Sequence, residues 1–383
     1  MCWFRKLNLE KTYWKFIKGE CGKPRRKHKS ETASIYLTRE CFRFEQCPDG
    51  NQRLFIGTKT NNIGYLSIKM HRTFSLPNSI TIKRERGRYY VSFCFGEKGV
   101  TNLAFNKDNL THLRNSSSDW LAQHTVGIDR GVAIPVQTQT QSYDFTAGQK
   151  RNKTRHERYV KRLQRRLSKQ QKGSRHRART KQRLSHRHEH IANIRNDFCH
   201  QVSHRISADK DNKIIVLEDL NTQGMSCSAK GDRLSPGKQV KAKSGLNKAI
   251  LDKGWHRLEV YLAYKTQRQG KAFFKVSAHH TSQTCADCWH THPANRQTQS
   301  QFVCQRCGHT DHADKNAAKV IALKAIRLIQ DSGTELSNRG VLMPQIDKGR
   351  GAKDKTHAVF TACALGGESS KKKGTIAAFE EVA

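Results

Sequence analysis

Cys285 and Cys288 form one Cys-x-x-Cys pair, Cys304 and Cys307 form a second, and 15 residues separate them. That spacing lets two thiolate knuckles close on one tetrahedral ion. Four thiolates fill a zinc shell and leave no position for water or substrate, so the ion would stabilise a small lobe rather than do chemistry. A rubredoxin-like iron site uses the same ligands, and four unrelated cysteines or disulfides are the plain alternative. The acidic stretch Asp311-His312-Ala313-Asp314-Lys315-Asn316-Ala317-Ala318 follows at once. A carboxylate therefore opens a helix directly beside the cysteine lobe.

Two more acids stand at the ends of apolar runs. Val126-Gly127-Ile128-Asp129-Arg130-Gly131-Val132-Ala133-Ile134 reads as a buried strand, a carboxylate and a continuing or hairpin strand, with glycines where a ligand could approach the backbone. Ile214-Ile215-Val216-Leu217-Glu218-Asp219-Leu220 has the form of a central strand that delivers an acid at its end. One strand-end acid is commonly only a cap or an ion-pair partner. Asp129, Glu218 and Asp314, converged by a rigid scaffold, would suit magnesium, a hard cation that takes carboxylate oxygens and water. Such a site can hold the attacking and leaving oxygens of a phosphodiester.

The elements that must position these residues lie in a basic chain. Its 383 residues carry 71 Lys+Arg against 32 Asp+Glu, a formal net charge of +39. Attraction to a polyanion is unavoidable at ordinary salt, and nucleic acid is the leading partner. No long apolar run favours a membrane. The start, Met1-Cys2-Trp3-Phe4-Arg5-Lys6, does not read as a signal peptide. Twelve cysteines, scattered apart from the two pairs, fit reduced thiols in a cytoplasmic protein.

Ile80 and Ile82, then Val91, Phe93 and Phe95, alternate as a hairpin across Glu85-Arg86-Gly87-Arg88, with Lys83, Arg84, Arg86 and Arg88 facing either phosphate or water. From Lys150 to Phe198 the chain predicts two basic helices. Arg158, Arg162, Arg165, Arg166 and Lys169 alternate with Val160, Leu163 and Leu167, and after the break at Gly173-Ser174 a second helix carries Arg175 and Arg179 and runs through Leu184, Ile191, Ile194 and Phe198. So many like charges repel unless a polyanion neutralises them, so these arginines are the candidate nucleic-acid contacts. A loop is expected from Gly224 to Gly245, then a helix with Leu251, Trp255, Leu258 and Leu262 as core, ended by Gly270. A strand over Phe273-Val276 leads to the first knuckle, and Ala317, Ile321, Ala325 and Leu328 mark a helix after Asp314.

Four stretches in this order, Gly127-Ile128-Asp129-Arg130-Gly131, Val216-Leu217-Glu218-Asp219-Leu220 with Gly224-Met225, Thr281-Ser282-Gln283-Thr284-Cys285 and Ala313-Asp314-Lys315-Asn316-Ala317-Ala318, resemble the TnpB family of OrfB-type transposon-encoded proteins, related to type V CRISPR effectors. The resemblance covers roughly residues 30–329. It implies an α/β fold: an RNase H-like (RuvC) nuclease core with an inserted zinc ribbon, preceded by a β-rich, oligonucleotide-binding-like wedge domain. It also implies a magnesium-dependent DNA endonuclease guided by an RNA from the transposon end to its target DNA.

Carried over, Asp129, Glu218 and Asp314 are the catalytic acids and Cys285, Cys288, Cys304 and Cys307 the zinc ligands. The expected domains are a wedge over 1–124, a nuclease domain over 125–330 with a basic insertion at 150–198 and a ribbon at 281–310, and a disordered tail over 331–383. Asp129 comes earlier than is usual in the family, so most of the helical recognition lobe is expected to be missing. Trp289 stands where the family commonly has Gly, and the linker to Cys304 carries His290, His292 and Pro293. A cleavage-deficient RNA- or DNA-binding relic and a strand-transferring transposase are the competing readings.

Overall fold

The computed structural model describes residues 17–18, 34–46, 52–58, 62–68, 74–85, 88–95, 101–231 and 237–344. The chain divides into two compact units, residues 1–99 with 156–189 and residues 100–155 with 190–383.

The first unit contains two antiparallel three-stranded sheets. Strands β1 (Ser34–Thr38), β2 (Phe42–Gln46), β3 (Gln52–Gly57), β4 (Asn62–Ser67), β5 (Ser79–Glu85) and β6 (Arg88–Cys94) form the orders β1-β5-β6 and β2-β3-β4. Side chains alternate across a strand, so Leu37, Ile80 and Ile82 meet Phe42, Leu54 and Ile56 in one apolar core. The hairpin expected from the alternation is present, with Ile80 opposite Phe93 and Ile82 opposite Val91. Lys83 and Arg84 are exposed on it. Arg86, Gly87 and the Arg88 side chain lie outside the described residues.

The second unit is a layered α/β structure around a parallel sheet. Its elements run α1 (Asn102–Leu113), α2 (Ser118–His124), β7 (Thr125–Ile128), β8 (Val136–Gln137), β9 (Ser142–Tyr143), α3 (Ala147–Lys169), α4 (Arg175–Ala208), β10 (Ile214–Asp219), α5 (Thr222–Met225), α6 (Val240–Leu251), α7 (Trp255–Arg268), β11 (Ala272–Ser277), β12 (Gln301–Val303), β13 (Thr310–His312), α8 (Ala313–Gln330), β14 (Thr334–Leu336) and β15 (Leu342–Pro344). Helices α3 and α4 contribute residues to both units.

β10 is central, in the order β11-β10-β7. It pairs in parallel with both neighbours, Leu217 opposite Ile128 and Lys275. Ile214 and Val216 pack with Phe274, Ile321 and Ala325 on one face, and Ile215 and Leu217 with Phe198, Leu258 and Leu262 on the other. Burial on both faces explains why β10 reads as one continuous apolar run.

α8 crosses β7 with almost no space between them. A Cβ placed on Gly127 would lie 2.1 Å from the Ala318 carbonyl oxygen and 2.7 Å from the Ala322 nitrogen. Glycine on the strand and alanine on the helix let the two backbones touch.

Several expectations shift. Of the two continuations expected after Asp129, the hairpin forms: β7 stops at Ile128, bends follow, and the chain turns back so that Asp129 pairs antiparallel with Gln137 rather than running on as a strand to Ile134. A Cβ on Gly131 would stand 2.6 Å from the Ile134 carbonyl oxygen, so the chain turns too tightly there for a strand. Helices α1 and α2 lie inside the stretch expected to be β-rich. Leu110 and Leu121 bury them against the parallel sheet, and the Asn106 carboxamide accepts the Phe273 amide at 2.9 Å, satisfying a donor on the β11 edge.

The basic helices form with the expected break, Gly173 taking φ +87° between α3 and α4, and α4 continues to Ala208 on buried Val202 and Ile206. The loop expected to reach Gly245 ends at α6; residues 232–236 lie outside the described residues. Gly254, at φ +72°, separates α6 from α7, which leaves Leu251 on α6 and 57% exposed rather than in the core. Residues expected to open a disordered tail instead make the β14–β15 hairpin, whose Leu336 and Leu342 join the core. Residues 345–383 lie outside the described residues. Among the described residues no helix is long and apolar enough to cross a membrane.

Substituting Gly127→Ala forces backbone atoms apart, a kind of overpacking worth about 1–3 kcal/mol or more. The expected outcome is a markedly lower melting temperature; a variant as stable as the parent would contradict the close α8–β7 seat.

Candidate active site

The period-2 alternation sends Glu218 to the same sheet face as Ile214 and Val216, the face covered by α8. Asp129 follows β7 directly, and Asp314 stands in the first turn of α8. All three acids are thus delivered by the α8–β7–β10 junction. Glu218 and Asp314 are 6% and 5% exposed. Asp129 keeps part of its surface open to solvent. Burial, followed by the nearby charges of Glu218 and Asp314, pushes the Asp129 carboxyl up to about 7. Burial raises Glu218 as well, against a hydrogen bond from Thr281 and the charges of Arg130, Lys324 and Arg296. Three carboxylates that hold one another's charge in a partly closed space are short of positive charge. That donor set fits a hard divalent cation such as magnesium.

Thr281, Arg296 and Lys324, none of them a candidate in the sequence, complete the site. Thr281 donates to the Glu218 carboxylate. Arg296, from the linker between the two knuckles, reaches the Asp314 carboxylate at 3.3 Å and adds positive charge near Asp129 and Glu218. Lys324, buried on α8, donates to the His279 carbonyl, and burial lowers it to about 8 against the opposing pull of Glu218. Thr281 stood inside a recognisable stretch, and Lys324 interrupts an apolar helix face. Arg296 carried no sequence signal.

The cysteine lobe adjoins this site. The four sulfurs lie within 4.8 Å of one another, with Cys285 to Cys307 at 3.7 Å and Cys288 to Cys304 at 3.5 Å. A tetrahedron with zinc–sulfur bonds of about 2.3 Å has edges of about 3.8 Å, so the four thiols are arranged as a set that fits zinc. Asn295, fully buried, spans both halves of the lobe: it donates to the Gln283 and His290 carbonyls and accepts the Gln305 amide. Asn316, also fully buried, ties the lobe to α8 by accepting the Ala286 amide at 3.0 Å and donating to the Thr284 carbonyl at 2.8 Å. Asn316 is two residues from Asp314. Trp289 takes φ 59°, the left-handed region that suits glycine, and the Arg327 guanidinium of α8 lies 3.4 Å above its ring. That cation–π contact offsets the backbone strain.

The seven basic residues singled out on the helices, Arg158, Arg162, Arg165, Arg166, Lys169, Arg175 and Arg179, are all exposed. No carboxylate among the described residues pairs with any of them.

Residues 112–229 match the family described as a probable transposase, OrfB of the IS605 type, and residues 255–321 match the Cas12f1-like TNB domain. The putative RNA-guided DNA endonuclease InsQ of Escherichia coli K12 is 33% identical over 320 residues, 82% of this chain and 71% of that protein. The chain belongs to the TnpB (OrfB) family. A second relative, a putative RNA-guided DNA endonuclease of Streptomyces pristinaespiralis, is 26% identical over 64% of this chain and 52% of its own length. Among solved structures, the Cas12f1–sgRNA–target DNA complex aligns with 80% of this chain and 67% of that chain at 14% identity and a TM-score of 0.48.

The acid cluster makes a pH-dependent prediction. Folded, Asp129 keeps its proton up to about pH 7; unfolded, it releases it near pH ~4. Its stabilising uptake of a proton is complete below that lower value and is lost as pH rises through about 7. In divalent-free buffer Asp129→Asn is therefore expected to melt roughly 3–6 °C above the parent at pH 8, with the gap shrinking towards pH 4. Equal melting temperatures at pH 8 would mean that neither burial nor the neighbouring carboxylates oppose the charge on Asp129.

Proposed function

We propose that this protein is a transposon-encoded, RNA-guided DNA endonuclease whose RuvC-like site hydrolyses phosphodiesters with magnesium. The convergence of Asp129, Glu218 and Asp314 on one partly open site carries this reading. Family membership supports it, since the two relatives described above are named for RNA-guided DNA cleavage. Bound there, magnesium would polarise the scissile phosphate and lower the barrier to attack by water. The chain's own residues define the geometry around it. Thr281 fixes one oxygen of Glu218, and Arg296 holds Asp314 while offering a guanidinium to a phosphate.

Zinc in the cysteine lobe would be structural. With its four positions filled by sulfur it has none for substrate, and its role would pass through Asn316 into the first turn of α8. The six-stranded N-terminal part would act as the oligonucleotide-binding wedge. The exposed arginines of α3 and α4 would lie against the backbone of the duplex formed by guide RNA and target DNA, where base pairing with the guide supplies sequence specificity.

The protein purified with its transposon-end RNA is expected to cut matched DNA in magnesium, and Asp129→Ala to lower cutting to background while retaining the RNA. Equal cutting by Asp129→Ala would remove the assignment. Joined DNA products in place of free ends would point to strand transfer, and RNA binding without any cutting to a cleavage-deficient relic.

A further inference from the structure

Asp129 and Glu218 stand at a weak point of the sheet. The β7–β10 ladder ends at the pair Ile128 and Leu217, one residue short of both acids. Beyond it no strand pairing fixes the spacing of the two carboxylate-bearing backbones. Arg130 supplies a link there. Its side chain, 1% exposed, donates through Nη2 to the Glu218 backbone carbonyl at 2.5 Å and through Nη1 to Glu259 of α7 at 3.2 Å. Its Nε has no hydrogen-bond partner, so the two terminal nitrogens carry all of its hydrogen bonding.

Glu259 also holds the other neighbour of β10. Its second oxygen accepts Lys275 of β11 at 3.0 Å, and Lys275 in turn pairs with Asp219 at 3.2 Å. Alternation places Lys275 and Asp219 on the sheet face opposite the acid cluster, where α7 lies. One carboxylate on α7 thus ties the end of β7, through Arg130, to the ends of β10 and β11, through Lys275. It also restrains a buried guanidinium whose charge reaches Glu218.

We infer that Glu259 and Arg130 form an ionic clasp that sets the separation of Asp129 and Glu218, and so the affinity of the site for a divalent cation. Glu259 is a positioning residue in this scheme. It touches neither substrate nor metal, and acts from the back of the sheet. Without its charge Arg130 loses its anchor on α7, the strand ends spread, and the guanidinium is left to compete with the cation for Glu218. The inference rests on the divalent site proposed above.

The test titrates Mn²⁺ calorimetrically into the full chain and into Glu259→Gln, Arg130→Lys and Asp129→Asn. Arg130→Lys keeps the charge but loses the two-pronged reach, so it tests the clasp even where Glu259→Gln folds poorly. The expected result is Mn²⁺ binding about tenfold weaker in both clasp variants and absent from this site in Asp129→Asn. In cleavage, the magnesium concentration for half-maximal rate should rise by a similar factor while the rate at saturating magnesium stays near that of the parent. A lowered melting temperature with parental Mn²⁺ affinity, as a purely structural ion pair would give, overturns the clasp. Binding by Asp129→Asn equal to that of the parent would instead bring down the divalent site itself, and the clasp with it.

Discussion

At Gly127 the backbone of β7 lies against the backbone of α8 with no side chain between them, and the position of every acid in the site follows from that contact. β7 ends one residue before Asp129, α8 begins one residue before Asp314, and β10 pairs with β7 to bring Glu218 alongside. A side chain of any size at Gly127 would lift the helix and its first turn together. Ala318 and Ala322 meet the strand from the other side for the same reason. The crossing therefore sets the spacing of the site before any charge is considered.

Charge then works against the fold. Asp129 and Glu218, buried beside Asp314, resist ionisation, and the raised Asp129 carboxyl records that resistance. The surrounding structure offsets it with cations placed at different depths: Arg296 beside Asp314, Lys324 near Glu218, and Arg130 behind the strand ends. Asp129 stays raised in spite of them, and a divalent cation would add the positive charge it lacks. The cysteine lobe contributes rigidity to the same place. Asn316 fastens it to the first turn of α8, and Trp289 under Arg327 fastens it to a later turn. Two attachments along one helix restrain both its position and its rotation, which a single hinge could not do.

Much of this was legible in the sequence because it is local. The Cys-x-x-Cys pairs, the apolar run of β10 with its terminal acid and the Gly173 break all write their structure into adjacent residues. What escaped depends on contacts between distant segments. Arg296 sits in a linker without periodicity, and only folding brings it to Asp314. Helices α1 and α2 are buried through Leu110 and Leu121, with Leu103 and Leu113 packed alongside, against sheet residues that lie far along the chain. The β14–β15 hairpin is made of short, mixed segments that gain stability by burying Leu336 and Leu342 in the core and by adding to the sheet edge, where the Lys275 amide bonds to the Gly340 carbonyl. Leu251 reads as part of α7 because its spacing from Trp255 and Leu258 is helical, and only the left-handed turn at Gly254 separates them.

The central claim is that Asp129, Glu218 and Asp314 together hold a divalent cation, in a frame kept in place by a separate tetrathiolate ion. Anomalous diffraction from crystals of the full chain grown with manganese, recorded on both sides of the manganese and zinc edges, tests it most directly. The account predicts a zinc peak among Cys285, Cys288, Cys304 and Cys307 and a manganese peak bounded by the three carboxylates. A well-ordered acid cluster without manganese, at concentrations that support cleavage, would contradict it.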